Sequence, residues 1–187
     1  MSGTRLAHDH GDVPNEGRHR HRDAHLEQRL IPQLIERGYA VVDGFLGAES
    51  ARALYEFERA AWERSEFRAA GVSRGAARVE DQRRDFVRWL SETDEHGAPH
   101  AQFFEALRKL REPLREALRL ALGDGEFHAS VYAPGAFYRR HVDAFADARP
   151  GPRRLLSFVY YLNPGWEPAD GGELALWQDE GGEPELI

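Results

Sequence analysis

The segment YAPGAFYRRHVDAF, residues 132–145, places an imidazole and a carboxylate one residue apart, at His141 and Asp143. Side chains two residues apart in a β-strand point to the same side of the sheet. If residues 137–143 form a strand, both groups project from one face and can share a divalent metal ion. Two His and one carboxylate form a common ligand set for non-haem Fe(II), and this pair would supply two of those three ligands. The spacing alone also fits a hydrogen-bonded surface pair.

Composition limits the kind of site that the chain can build. The sequence has 187 residues, of which 41% are hydrophobic and none is Cys, which excludes disulfides, thiolate zinc sites and Cys nucleophiles. Any metal must therefore be held by His and carboxylate. A net charge of -7 indicates no nucleic-acid partner. The chain contains no apolar run of about 18 residues and its first residues are polar, so we expect a cytoplasmic protein that does not bind membranes.

The N-terminal part is predicted to be a tail followed by helices. Residues 1–25 carry five His and few apolar side chains, which predicts a disordered His-rich tail, with a metal-sequestering role as the alternative. Apolar residues recur at helical spacing from Leu26 to Ile35, ending at Gly38, and again over residues 48–62 and 103–122. Pro32 and Pro113 are expected to disturb the first and third helices. Between the second and third helices we expect loops with one buried cluster of Phe86, Val87, Trp89 and Leu90.

The C-terminal part is predicted to be a sheet. Residues 39–42, near the first helix, are predicted as a short strand. Beyond Gly125 the hydrophobic period changes to two, which predicts strands over residues 126–132, 137–143, 154–162 and 173–177, and residues 183–187 look like the start of another. Helices followed by strands indicate an α+β domain, with the helices packed outside an antiparallel sheet or barrel.

The motifs of this C-terminal part resemble those of a known enzyme family. The ordered series YxPGxxYxRHxD, RxLSFVYYLNPxW and DGGEL, between residues 132 and 174, is similar to that of the prolyl-4-hydroxylase-like Fe(II)/2-oxoglutarate-dependent dioxygenases. The segment ERGYAVVDGFLGAESARAL near the N-terminus also resembles the opening strand and helix of that family. The resemblance implies a double-stranded β-helix, or jelly-roll, barrel with N-terminal packing helices. On this basis residues 26–187 form the dioxygenase domain, with helical support over 26–122 and the first part of the barrel over 126–187.

The resemblance also implies roles for individual residues. His141 and Asp143 would bind Fe(II), and Tyr161 would hydrogen-bond the distal carboxylate of 2-oxoglutarate. The implied reaction hydroxylates an aliphatic carbon, preferentially of a prolyl residue in a protein, and releases succinate and carbon dioxide, with ascorbate as a supporting reductant. A translation factor or ribosomal protein is the substrate suggested by bacterial relatives. The remaining cofactor-binding residues implied by the family are Tyr132, Tyr138, Val159 and Leu174.

The sequence departs from the family pattern at two positions. No His follows His141, where the family requires a second iron-binding His, and no Arg follows Arg154 to pair with the 2-oxoglutarate carboxylate. His128 is another imidazole close in sequence but precedes the motif. We therefore expect an incomplete barrel and a C-terminally truncated dioxygenase that is inactive alone and self-associates through an open sheet edge.

Two alternatives remain open at the level of sequence. The chain can be a non-catalytic degenerate barrel that acts as a binding module, since the second His and the Arg are absent from it. A cupin-like metal or sugar binder would also use a barrel, but it leaves the YYLNPxW and DGGEL matches unexplained.

Overall fold

The computed structural model describes residues 16–71, 81–92, 98–143, 153–179 and 181–187. The chain divides into two compact units, residues 1–42 and 43–187, and each is considered by itself. The described residues form three α-helices, one 3-10 turn and five short strands. No described helix combines the length and hydrophobicity needed to cross a bilayer.

The first unit is built on helix α1, Glu16–Arg37. The helix ends as predicted, because Gly38 adopts a φ of 79° and donates its N–H to Leu34 O at 3.0 Å. It begins within the predicted tail, at Glu16, and five of the ten residues 16–25 are Glu, Arg or Ala, which favour helix. Pro32 lies inside the helix, so the helix does not begin at this proline. The rest of the tail prediction, residues 1–15, lies outside the described residues.

Residues 39–42 do not form the predicted strand. Within this unit, the Val41 N–H donates to the side-chain oxygen of Gln33 at 3.3 Å. A side-chain acceptor therefore takes the place of a ladder partner for this amide.

The second unit contains the two helices predicted from apolar spacing. Helix α2 spans Ala48–Glu63, and helix α3 spans Ala98–Leu118 with Pro113 inside it. Helix α3 ends four residues before the predicted end at residue 122, and Arg119 follows it with a φ of 53°. The left-handed conformation of Arg119 stops the helix before the apolar pattern ends. The two helices pack together, and the core residues they contribute are Leu54, Ala61, Phe103, Phe104, Leu110 and Leu114.

A three-stranded antiparallel sheet accompanies these helices. It consists of β1, Arg68–Ala69, β2, Phe86–Leu90, and β3, Phe127–Val131, in the order β1-β2-β3. The prediction of a strand at residues 126–132 is confirmed. The prediction of a buried cluster in β2 is wrong, because Phe86, Val87 and Leu90 are half-buried and Trp89 is 61% exposed. Strand alternation explains this difference, because Trp89 lies on the face opposite to Phe86 and pairs with His128 of β3.

A second, two-stranded sheet ends the described chain. Its antiparallel strands are β4, Ala175–Leu176, and β5, Glu185–Leu186. They confirm the strands predicted within residues 173–177 and 183–187. Ahead of β4, the Trp166 indole donates to Gly171 O at 2.8 Å and closes the turn that contains the 3-10 element Pro168–Asp170.

Two predicted strands do not form. Residues 137–143 contain only an isolated bridge between Tyr138 and Arg83, and residues 154–162 carry no strand. A strand requires a partner ladder, which local composition cannot specify. The described residues therefore show an α+β fold with antiparallel sheets and no closed barrel.

An aromatic cluster fixes the segment that contains residues 158–160. Phe158 and Tyr160 lie against Phe103 of α3, with ring centroids 6.2 and 6.0 Å away, and both also pack on Phe45. Because alternate residues of an extended chain point in opposite directions, Ser157 and Tyr161 project away from α3. The alternation predicted for this segment is therefore retained without the predicted strand.

Candidate metal centre

The loop with the His-x-Asp pair is anchored by backbone hydrogen bonds. The Arg84 N–H donates to Phe137 O and the Arg139 N–H donates to Gln82 O, both at 2.8 Å. A tight turn precedes this region, with Gly135 at a φ of 77° and a 2.8 Å bond from Ala136 N to Ala133 O. The segment at residues 82–84 therefore holds the loop that leads to His141.

His141 has a defined orientation. Its Nδ1 lies 2.7 Å from Arg139 O, and a carbonyl oxygen only accepts, so Nδ1 carries the proton. The other ring nitrogen, Nε2, lies 3.3 Å from Asp143 Oδ1 and offers a lone pair to a metal when the ring is neutral. A hydrogen bond from Nδ1–H to a backbone carbonyl is the usual support of a metal-binding His.

Asp143 is oriented from a different segment. The Ser157 hydroxyl donates to Asp143 Oδ2 at 2.7 Å, which leaves Oδ1 directed at His141. Arg154 Nη1 lies 3.7 Å from the same Oδ1. Ser157 therefore fixes one oxygen of the carboxylate, while the other faces His141 Nε2 and the Arg154 guanidinium.

The geometry of this pair fits a divalent metal ion. Two ligand atoms in adjacent corners of an octahedron, each about 2.1 Å from the ion, are separated by about 3 Å. The Nε2 to Oδ1 distance of 3.3 Å is close to that value. Among the described residues no third His, Cys, Asp or Glu joins them. The pair could therefore supply two corners of a facial site.

His141 also has an aromatic neighbour on one face. The Tyr138 ring is stacked on the imidazole with a centroid separation of 3.6 Å and an interplanar angle of 14°. On Tyr138 lies the Arg83 guanidinium, whose Cζ is 4.2 Å from the ring centroid. In an ideal strand Tyr138 and His141, three residues apart, would point to opposite faces. The loop conformation allows their rings to stack instead.

Arg83 and Asp85 were not among the predicted site residues. They form a two-bond ion pair at 2.7 and 2.6 Å, and the Asp85 side chain is completely buried. The sequence signal for them is alternation: residues 83, 85 and 89 lie on one face of β2 and of the segment directly before it. The interpretation of residues 63–99 as a charged loop hid this periodicity.

The other tyrosines predicted to bind the cofactor lie within electrostatic range of this group. Desolvation and the charge of Asp85 raise the pKa of Tyr132 to about 12, and Tyr161 acts in the same direction. Desolvation raises the pKa of Tyr161 as well, opposed by a backbone hydrogen bond from Leu174. Both phenols therefore remain protonated near neutral pH and can donate a hydrogen bond to an anion.

Val159 and Leu174 form the apolar part of the predicted cosubstrate site. They are 57% and 40% exposed, so their side chains are accessible to a ligand. Leu174 is fixed by a reciprocal backbone pair with Ile187, at 3.1 and 3.0 Å. The backbone of Leu174 also lies within hydrogen-bonding range of the Tyr161 phenol, so these two residues of the predicted set are neighbours.

His128 lies on β3 with its ring 5.2 Å from that of Trp89. Desolvation by the surrounding atoms, reinforced by the charge of Arg83, lowers the pKa of His128, while Asp143 acts in the opposite direction. The charges of Arg83 and Asp143 therefore act on His128, but His128 belongs to no three-ligand group among the described residues.

The chain is similar to known proteins in sequence and in fold. Residues 127–187 match the model of the 2OG-Fe(II) oxygenase superfamily. A prolyl-4-hydroxylase from Pseudomonas putida is 32% identical over 87% of this chain and 80% of its own, with a TM-score of 0.74. The fold is also similar to that of a Trichoplax adhaerens prolyl hydroxylase solved with a peptide fragment of the hypoxia inducible factor oxygen degradation domain. That match has 20% identity, a TM-score of 0.63, and coverage of 90% of this chain and 76% of the other. The chain thus belongs to the prolyl-4-hydroxylase-like family of Fe(II)/2-oxoglutarate-dependent dioxygenases.

Proposed function

We propose that this protein hydroxylates an aliphatic carbon of a prolyl residue in a protein substrate, with conversion of 2-oxoglutarate to succinate and carbon dioxide. The observation that carries the proposal is the pair formed by His141 Nε2 and Asp143 Oδ1, 3.3 Å apart. The prolyl substrate is supported by the similarity to the Pseudomonas putida enzyme. A protein rather than a free amino acid is supported by the peptide bound to the Trichoplax adhaerens enzyme.

His141 and Asp143 would hold Fe(II). With 2-oxoglutarate bound, the metal supplies the activation of dioxygen. The protein's own contribution is orientation: Arg139 O keeps the Nδ1 proton in place so that Nε2 faces the metal, and Ser157 aims the carboxylate. Both hydrogen bonds are formed before a cation binds, so His141 and Asp143 need less ordering on binding.

The cosubstrate would lie along the face that carries the remaining predicted residues. Tyr161, which is neutral at working pH, would donate its O–H to the distal carboxylate of 2-oxoglutarate. Val159 and Leu174 would cover the methylene groups, and Tyr132 and Tyr138 would line the entrance near the metal. The direction of the Tyr161 pKa supports a donor in this role.

Several finer points belong to the same proposal. We expect the strands to be part of a jelly-roll barrel, ascorbate to sustain turnover by restoring Fe(II), and a translation factor or ribosomal protein to be the substrate. The cytoplasmic location and self-association through a sheet edge stay predictions from the sequence. Because the described residues offer two metal ligands, we expect the 187-residue chain alone to bind Fe(II) weakly and to turn over little 2-oxoglutarate.

The second candidate is a non-catalytic binding module of the same fold. It is favoured by one observation, which is that no third metal-binding side chain joins the pair among the described residues. This candidate predicts a folded chain with no chelated Fe(II) complex.

The test is anaerobic titration of Fe(II) and 2-oxoglutarate, recorded as the visible charge-transfer absorption of the chelated metal. The dioxygenase proposal expects a band that is lost in His141→Ala and retained in His128→Ala, the matched control from β3. Because weak binding is expected, the titration is carried to a large excess of Fe(II) over protein, and a folded chain that shows no band there would favour the binding module. A band that survives in His141→Ala would refute the assignment of the metal site.

A further inference from the structure

Three flat groups from two chain segments are stacked beside the metal centre. The Tyr138 ring contacts both other groups. The Arg83 Cζ lies 4.2 Å from the Tyr138 ring centroid, and the centroid of the His141 imidazole lies 3.6 Å from it. The near-parallel rings, 14° apart, give His141 a flat support along its whole plane. The stack is distinct from the hydrogen bond that fixes Nδ1.

The outer member of the stack is rigid. Arg83 donates through Nε and Nη2 to the two oxygens of Asp85, at 2.7 and 2.6 Å. The side chains are 12% and 0% exposed, so water does not compete for this pair. Arg83 and Tyr138 are also joined by an antiparallel backbone bridge. The guanidinium plane is therefore set by the fold and not by solvent.

The inner member needs such support. His141 is at the surface of the described structure, with its side chain 32% exposed, and its flanking residue Val142 is 82% exposed. One hydrogen bond at Nδ1 fixes the position of one ring atom, but the imidazole plane can still tilt about that atom. Stacking on Tyr138 restricts this tilt and keeps Nε2 directed at Asp143.

We infer that Arg83 is a positioning residue for the metal ligand His141 and acts through Tyr138, with Asp85 as its anchor. The inference rests on the proposed metal site and assigns Arg83 no contact with metal or cosubstrate. Removing the guanidinium should free the Tyr138 ring, widen the orientations of the imidazole and lower metal affinity. Loss of an outer support of a metal ligand typically weakens affinity about tenfold or more.

The first measurement uses the full chain without metal. In NMR spectra the ring protons of His141 should be shifted upfield by the Tyr138 ring current. The test variant is Arg83→Met combined with Asp85→Asn, because a buried Asp85 carboxylate without its arginine would itself reduce stability. We expect the upfield shift to decrease in this double variant and to persist in Arg84→Met, the neighbouring arginine whose guanidinium lies over Phe137.

The second measurement is a Co(II) titration followed through the paramagnetic shifts of the same His141 resonances. We expect the dissociation constant to rise about tenfold in the double variant and to change less than about twofold in Arg84→Met. If the double variant loses its far-UV circular dichroism, Arg83→Lys replaces it, since this change keeps a positive charge beside Asp85 and removes the planar guanidinium that lies on Tyr138.

The outcomes separate this inference from the proposed function. An unchanged His141 ring shift, or an unchanged Co(II) affinity in folded variants, overturns the positioning role. Absence of Co(II) binding to the unmodified chain contradicts the proposed metal site, and the metal-free ring shifts then decide the role of Arg83 on their own.

Discussion

The buried carboxylate of Glu58 provides the sharpest test of how the second unit is held together. It lies on α2 and accepts two bonds from Arg88 of β2, at 2.6 and 3.3 Å, and one contact of 2.5 Å from His100 of α3. One side chain thus joins two helices and the sheet. The exposed fractions are 10% for Glu58, 13% for Arg88 and 1% for His100, so solvent cannot replace the lost partner.

Glu58→Ala should therefore be among the most destabilising single changes in this unit. Removing one partner of a buried ion pair typically costs about 3 to 5 kcal/mol, since it leaves an uncompensated buried charge, here on Arg88. Glu58→Gln keeps the size and one acceptor oxygen, and we expect a smaller loss of about 2 kcal/mol, in the range of a hydrogen bond to a charged group. Urea unfolding followed by far-UV circular dichroism measures both values.

The same residue gives a sign for the acid response. Burial acts to raise the pKa of Glu58, but the hydrogen bonds from His100 and Arg88 together outweigh burial and lower it. A carboxyl group with a lowered folded-state pKa stabilises the protein above its ordinary pKa, and this contribution is lost as the pH falls through the lowered value. Glu58→Gln should remove this part of the acid dependence.

The controls are Glu56→Ala and Glu56→Gln on the same helix. Glu56 pairs with Arg59 at 2.8 Å, but their side chains are 44% and 53% exposed, and such pairs contribute about 0 to 1 kcal/mol. Equal losses of unfolding free energy in Glu58→Ala and Glu56→Ala would refute the argument. A Glu58→Gln variant whose stability falls with acid as steeply as that of the unmodified chain would refute the pKa assignment.

Three further predictions concern the core and the metal centre. Phe103→Ala removes the ring that Phe45, Phe158 and Tyr160 share, and we expect a loss of about 3 to 5 kcal/mol in urea unfolding. Ser157→Ala frees one oxygen of Asp143, and Co(II) titration should show affinity about tenfold weaker. The Tyr132 phenol should ionise only near pH 12 in an ultraviolet titration and near the ordinary tyrosine pKa in urea. Its stabilising effect is then present below the ordinary tyrosine pKa and lost as the pH rises.

Helices and strand faces were predictable because their signals are local. The end of α1 followed from Gly38, and the extent of α2 followed from apolar residues three and four apart. The alternation around Ser157 also held, because packing of Phe158 on α3 needs only an extended chain. Whether such a segment becomes a strand depends on a distant partner, and for residues 154–162 the prediction was wrong for that reason.

For the proposed metal centre, the pair of side chains that the structure brings together was predictable, and the support of that pair was not. His141 and Asp143 follow from a short motif, and the predicted geometric reason, one face of one strand, is replaced by a loop held at Arg139 O and by Ser157. Arg83 is about sixty residues away in sequence, in a charged stretch that resembles a solvated loop. Only the fold shows that its guanidinium lies on Tyr138.

This construction makes metal affinity a property of the whole second unit. The imidazole is oriented by its own loop, the carboxylate by the segment that packs on α3, and the aromatic support by the segment that leads into β2. The contact of Ser157 with Asp143 and that of Arg83 with Tyr138 join residues 14 and 55 positions apart, so neither is favourable in the unfolded state. A His-x-Asp peptide cut from this sequence should therefore bind a divalent ion far more weakly than the folded chain. Because a ligand that binds only the folded state stabilises it, bound metal should raise the melting temperature of the intact chain.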